Sequence, residues 1–126
     1  MSLKYTLRAL FLLLFLLSFF LQAHNTLAGE KITIKEILSN PNKYDGQEVT
    51  IQGKATKIKP RTSKKGNDYT TFTLRDESGK SMNFYTRGLP LLAEGQKVTV
   101  TGIYEKVKRV GRQTFHNEVK AWNIIR

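Results

Sequence analysis

From Glu48 onward the apolar side chains fall on every second position. Val49, Ile51, Gly53 and Ala55 alternate with Thr50, Gln52, Lys54 and Thr56. A period of two puts one set on each face of an extended strand and is incompatible with a helix, whose period is ~3.6. The same alternation returns at residues 69–76, where Phe72 and Leu74 oppose Tyr69, Thr71, Thr73 and Arg75, and at 81–86, where Met82 and Phe84 oppose Asn83 and Tyr85. It returns again at 96–105, through Val98 and Val100, and at 114–125, through Phe115, Val119, Trp122 and Ile124. Five half-buried strands in one short chain need a shared core. A flat sheet of five would leave two edges to protect, whereas closure into a barrel removes them. Gly53 and Gly102 lie inside strands 1 and 4, where a barrel bends sharply, and the phase change between Val119 and Trp122 predicts a bulge in strand 5. The expected fold is therefore all-β, a five-stranded closed barrel.

Two segments break the alternation. Residues 34–45 carry Ile34, Ile37 and Leu38 as one helical stripe, with Thr33 as N-cap, Glu36 three residues on, and Asn40-Pro41 and Asp45-Gly46 as stop signals. Residues 1–28 are of another kind. Lys4 and Arg8 precede thirteen residues, Ala9 to Leu21, in which only Ser18 is polar, and a short polar stretch follows. A basic start, a short apolar run and small residues at Thr26 and Ala28 make a secretory signal peptide cleaved after Ala28, with Ala23/His24 as the alternative cut. An uncleaved anchor is the other reading, but thirteen apolar residues fall short of the ~20 that a spanning helix needs. Domains are thus expected at 1–28, the signal peptide, and 29–126, the barrel. Removing 28 of 126 residues leaves 98, with 19 basic and 10 acidic side chains. The protein is expected to be exported, periplasmic or secreted, monomeric, and without a stable membrane span after processing.

Three loops and the tight turn Glu77-Ser78-Gly79-Lys80 separate the strands. Residues 60–68 form a polar loop, 87–95 an apolar crossover with room for one helical turn, and 106–113 a basic loop. Lys57, Lys59, Arg61, Lys64 and Lys65 cluster at the first, and Lys106, Lys108, Arg109 and Arg112 at the last, so nine of the 19 cations sit in or beside two loops. Such a balance points to an anionic partner, although solubility alone also calls for surface charge. Zero Cys excludes disulfides, thiolate metal sites and a Cys nucleophile. Asp76-Glu77, the one adjacent carboxylate pair of the strands, is followed by Ser78-Gly79 and reads as a turn rather than a metal centre. A lone His116 makes no metal or haem site. Phosphate loops, nucleophile elbows and zinc signatures do not occur. The chain is therefore expected to be no enzyme and to need no cofactor; a metal-dependent nuclease is the alternative least favoured. Trp122 is expected to bury its ring as core or rim packing.

The stretches YDGQEVTIQGKATKIKP, KKGNDYTTFTLRDESG and EGQKVTVTGIYE resemble the nucleic-acid-binding OB-fold family of anticodon-binding and exonuclease-subunit type. Gly46, Val49 and Gly53, the run Phe72-Thr73-Leu74-Arg75-Asp76 before Ser78-Gly79, and Gly95, Val98, Val100 and Gly102 carry the likeness, which spans about residues 44–125. The resemblance implies a Greek-key barrel that binds ligand on the outer face of strands 2 and 3, between the loops joining strands 1 to 2 and 4 to 5. Both loops here are basic, and Tyr69, Arg75 and Tyr85 face outward from strands 2 and 3. The implied function is a non-catalytic module for an extended polyanion, with single-stranded nucleic acid first. Acidic polysaccharide or an envelope protein partner are the alternatives, since OB barrels bind all of these. Tyr69 and Tyr85 either stack on ligand or pack on cross-strand neighbours.

Overall fold

The computed structural model describes residues 29–126; the signal peptide read from residues 1–28 lies outside the described residues. Five strands close into one barrel in the order β1-β2-β3-β5-β4. They are β1 (Glu48–Thr62), β2 (Asp68–Asp76), β3 (Ser81–Arg87), β4 (Gln96–Val110) and β5 (Gln113–Ile125). All neighbours are antiparallel except β3 and β5, which pair in parallel through Asn83–Thr86 and Glu118–Ala121. This is the OB fold, as the alternating pattern implied.

The interior is built from the predicted apolar phase. Val49, Ile51 and Ala55, then Phe72 and Leu74, Met82 and Phe84, Val98 and Val100, and Val119 are all buried. Phe72 and Phe84, register partners on β2 and β3, stack with ring centroids 5.4 Å apart. Fully burying one such side chain contributes about 1.5–3 kcal/mol. A short helix, α1 (Ile34–Ser39), adds Ile34 and Ile37 to the same core, and a single turn, α2 (Pro41–Tyr44), follows it. The one helix expected over 34–45 is divided because Asn40 leaves helical geometry just before Pro41. Thr33 caps α1 through Glu36 N–H, as expected. Glu36 does not complete the capping box; its carboxylate accepts from the Tyr44 hydroxyl instead, at 2.8 Å.

Two glycines let the barrel close. A Cβ on Gly53 would lie 2.5 Å from the Arg75 carbonyl oxygen, and one on Gly102 only 2.3 Å from that of Lys120. The expected bulge in β5 sits at Trp122, which has no partner between the pairs Gly102–Ala121 and Thr101–Asn123. After it the phase inverts, so that Ile124 again packs on the core.

Strand extends into both basic loops. Pro60, Arg61 and Thr62 continue β1 in pairing with β2, although a proline breaks ladders. Beyond Ala55, β1 has β2 as its one partner, so Pro60 needs no N–H on its free side. The loop shrinks to residues 63–67. Likewise Lys106–Val110 extend β4 and pair with the start of β5, leaving Gly111-Arg112 as the tip. This two-stranded arm projects past the barrel and has no core to alternate against, so its sequence carries no period of two. The crossover between β3 and β4 holds no helical turn.

Candidate nucleic-acid interface

The register brings one face of each strand to a common outer surface. Arg61 of β1 pairs with Tyr69 of β2, which pairs with Arg87 of β3. The next row runs Lys59, Thr71, Tyr85 and Lys120 across β1, β2, β3 and β5. A groove of about 1120 Å³ lies over these rows. The β1–β2 hairpin borders it through Arg61 and Ser63, and the β4–β5 arm through Lys108, Val110 and Phe115. Two hairpins that are remote in sequence thus flank one cleft.

The floor is aromatic. Tyr69 and Tyr85 are half-buried, Phe115 is 38% exposed and Trp122 is 53% exposed, all lining the groove. Trp122 is the correction to the expectation of a packed indole. The bulge at this position turns the ring outward. Phe115 and Glu118 reach the same groove although they are three residues apart. Strict alternation would oppose them; Asn117 takes up the difference with φ +53°, and the buried Tyr104 hydroxyl bonds to its side-chain oxygen.

The walls are cationic, with one acidic seat. Lys108 Nζ lies 3.5 Å from the centroid of the Tyr85 ring and 3.8 Å from Glu118 Oε1. The Tyr85 hydroxyl donates to Glu105 Oε1 at 2.9 Å. Burial first, then that hydrogen bond, hold the Tyr85 pKa far above its ordinary value. Burial also raises the Glu118 carboxyl; Lys108 opposes the shift and Glu105, its direct cross-strand partner, adds to it. Arg61 Nε donates to Thr71 Oγ1 at 3.2 Å, which fixes its head above the groove. Arg87 and Lys120 complete the walls.

The twelve residues singled out by sequence therefore divide. Arg61, Tyr69, Tyr85 and Lys108 line this groove, and Lys59 shares its row. Lys64 and Lys65 sit exposed in the β1–β2 loop, outside the lining. Lys106 is turned away: its amide donates to Asp45 and its ammonium to Asn42, at 2.9 and 2.8 Å. Arg109 and Arg112 are exposed on the arm but do not line the cleft. Lys57 and Arg75 border a different groove. Arg87, Phe115, Glu118, Lys120 and Trp122 line the site without having been singled out for it. Outward phase next to Tyr85 was the available signal for Arg87, whereas the turn of Trp122 depends on a bulge.

Asp76 is structural, as its turn sequence implied. Its Oδ2 accepts from Ile34 N–H at 2.6 Å, and its Oδ1 from the amide and hydroxyl of Ser78. Among the described residues no three His, Asp or Glu side chains gather as a metal site, and no helix is long and apolar enough to cross a membrane.

No family model matches the chain, and no curated protein matches it. Among solved structures it is similar to a protein described as a "putative nucleic acid-binding lipoprotein" from Klebsiella pneumoniae subsp. pneumoniae. The TM-score is 0.60 at 18% identity, covering 82% of this chain and 97% of that one. It is also similar to the second OB-fold domain of replication protein A from Methanococcus maripaludis, with a TM-score of 0.43 at 20% identity over 64% of this chain and 83% of that one. At 18% identity the likeness to the first is one of fold.

Proposed function

We propose that the protein is a non-catalytic module that binds single-stranded nucleic acid in the groove over β2, β3 and β5. The observation that carries the reading is the aromatic floor between cationic walls. A single strand offers phosphates to cations and unpaired base faces to rings, and this groove presents both at once. Double-stranded DNA hides its base faces and gains nothing from exposed Trp122 and Phe115. The structural relative described as nucleic acid-binding accords with the reading. Asp76, of the one adjacent carboxylate pair, has both carboxylate oxygens committed to backbone and turn and lies outside this groove, whose own acid, Glu118, faces Lys108. Export follows in this reading from residues 1–28, so the nucleic acid is met outside the cytoplasm.

Trp122 supplies the test, because it is the sole Trp of the chain. Titrating a short oligothymidylate into the protein should quench its fluorescence, as stacking requires, and a duplex of the same length should quench it far less. An acidic polysaccharide that binds more tightly than the oligonucleotide, at equal charge, would replace nucleic acid as the ligand.

A further inference from the structure

A second groove, of about 760 Å³, opens at the other end of the same sheet face. Its cations are Lys31, Lys54, Lys57, Arg75 and Lys97. Its two carboxylates are Asp76, already committed, and Glu77. Among the described residues the one ion pair within 4.0 Å is Lys108–Glu118, so none of these five cations is neutralised by a neighbour. The remaining lining includes Gln52, Thr56, Thr73 and Ser81, and no aromatic ring.

The two grooves are joined by one strand. Tyr69, Thr71, Thr73 and Arg75 alternate on the outer side of β2; the first two line the aromatic groove and the last two line the basic one. The six residue steps from Tyr69 to Arg75 span about 20 Å. On β1 a bulge between Thr56 and Lys59 resets the phase. Lys54 and Thr56 therefore face the basic groove, and Lys59 and Arg61, beyond the bulge, still face outward beside the aromatic one. Without that extra residue, Lys59 and Arg61 would lie on the opposite face. The result is one polar, cation-lined track along β1 and β2, with ring faces at one end alone.

We infer that the basic groove is a phosphate-binding extension of the nucleic-acid site, holding the backbone of a strand that leaves the aromatic groove along β2. This rests on the function proposed above. Cations without rings track phosphates and do not hold bases, so the extension contributes affinity for length and charge, and no base preference.

The test compares oligothymidylates of about four and about twelve nucleotides, within the ~4–16 nucleotides that OB folds cover. The full-length chain is titrated with each, fluorescein-labelled, over a range of salt, following Trp122 fluorescence and, independently, the anisotropy of the labelled strand. The long strand should bind more tightly and with a steeper salt dependence, by about 0.7 in log–log slope for each added phosphate contact. The variant Lys54→Gln/Arg75→Gln/Lys97→Gln should lose about a few hundred-fold in affinity for the long strand at ~50 mM salt, and about 2 in slope, with the short strand unchanged. These three side chains are exposed, and a melting temperature no lower than the parent's together with unchanged short-strand binding shows that the variant is folded. Equal affinity of both lengths for the parent protein overturns the inference, and so does a variant that weakens neither length or both alike. Absence of quenching by the short strand sinks the primary reading instead. Long-strand binding that depends on the three cations but leaves Trp122 fluorescence unmoved makes the basic groove a separate polyanion site, and also overturns the continuous track.

Discussion

Trp122, Tyr85 and Glu118 lie within one groove and are expected to act in three different ways. Trp122 offers an open indole face, so Trp122→Ala should weaken oligonucleotide binding by about 1–3 kcal/mol. A side chain 53% exposed at a bulge contributes little to the core, so the melting temperature should stay nearly constant. Loss of stability in place of affinity would return Trp122 to a packing role. Tyr85 differs because the Lys108 ammonium already lies on its ring and its hydroxyl is tied to Glu105. A base reaches that ring only as Lys108 swings towards a phosphate. Glu118 is the acid seat of Lys108, and its carboxyl is held above the usual range by burial. The sign of the coupling is fixed: a polyanion binds better when Glu118 is protonated, so affinity should rise as pH falls through its titration. In Glu118→Gln that component should vanish and binding at neutral pH should strengthen; a pH profile identical to the parent's rules the coupling out. Outward phase made Tyr69 and Tyr85 legible from the sequence. The roles of Phe115, Glu118 and Trp122 were not, because each is aimed by a local break in alternation, at Asn117 or at the β5 bulge.

Among the elements, β1 carries the device that aligns the site. Its bulge holds Lys57 at φ +51°, a left-handed conformation unfavourable for a residue with a side chain. Glu94, from the β3–β4 crossover, accepts from the amides of both Lys57 and Ile58, at 3.1 and 2.8 Å, and so clamps the bulge. Glu94→Ala should cost about 1 kcal/mol, which lowers the melting temperature by ~4–8 °C in a domain of this size. It should also weaken nucleic-acid binding, since Lys59 and Arg61 owe their outward facing to this bulge. Weakened binding of the Lys59→Gln/Arg61→Gln variant, with no loss of melting temperature, would separate the two effects. Gly102→Ala is expected to be harsher, because its Cβ meets backbone of β5 at 2.3 Å and no flexible side chain can yield. The strands themselves were legible wherever one face meets the core: Val49–Ala55, Phe72–Leu74, Met82–Phe84 and Val98–Val100 all keep the phase their sequence implied. The arm of β4 and β5 and the end of β1 were not legible. They are two-stranded ribbons outside the barrel, with no buried face to impose alternation, and Pro60 and Gly111 there read as loop signals. A clamp such as Glu94, 36 and 37 residues from the amides it binds, leaves no local trace.

At the scale of the molecule, charge governs stability and binding in opposite directions. The chain carries 21 basic and 10 acidic side chains, yet one ion pair forms among the described residues. Most cations therefore face one another across solvent, and their repulsion opposes the compact state. Screening reaches ~10 Å at 0.1 M salt, a distance comparable to the spacing of cations along the β1–β2 track. Added salt should thus raise the melting temperature of the free protein. A bound strand reverses the trend. At low salt its phosphates neutralise the track, and a ligand present at ~100 times its dissociation constant stabilises the fold by about 2.7 kcal/mol. Each increment of salt then releases phosphate contacts, and the melting temperature of the complex should fall until it meets the rising curve of the free protein. Melting curves with and without oligothymidylate across a salt series provide the check. A free protein whose melting temperature falls with salt would show that its cations are not in mutual repulsion. A complex that stays stabilised at high salt would show that stacking on the aromatic floor outweighs the cationic walls.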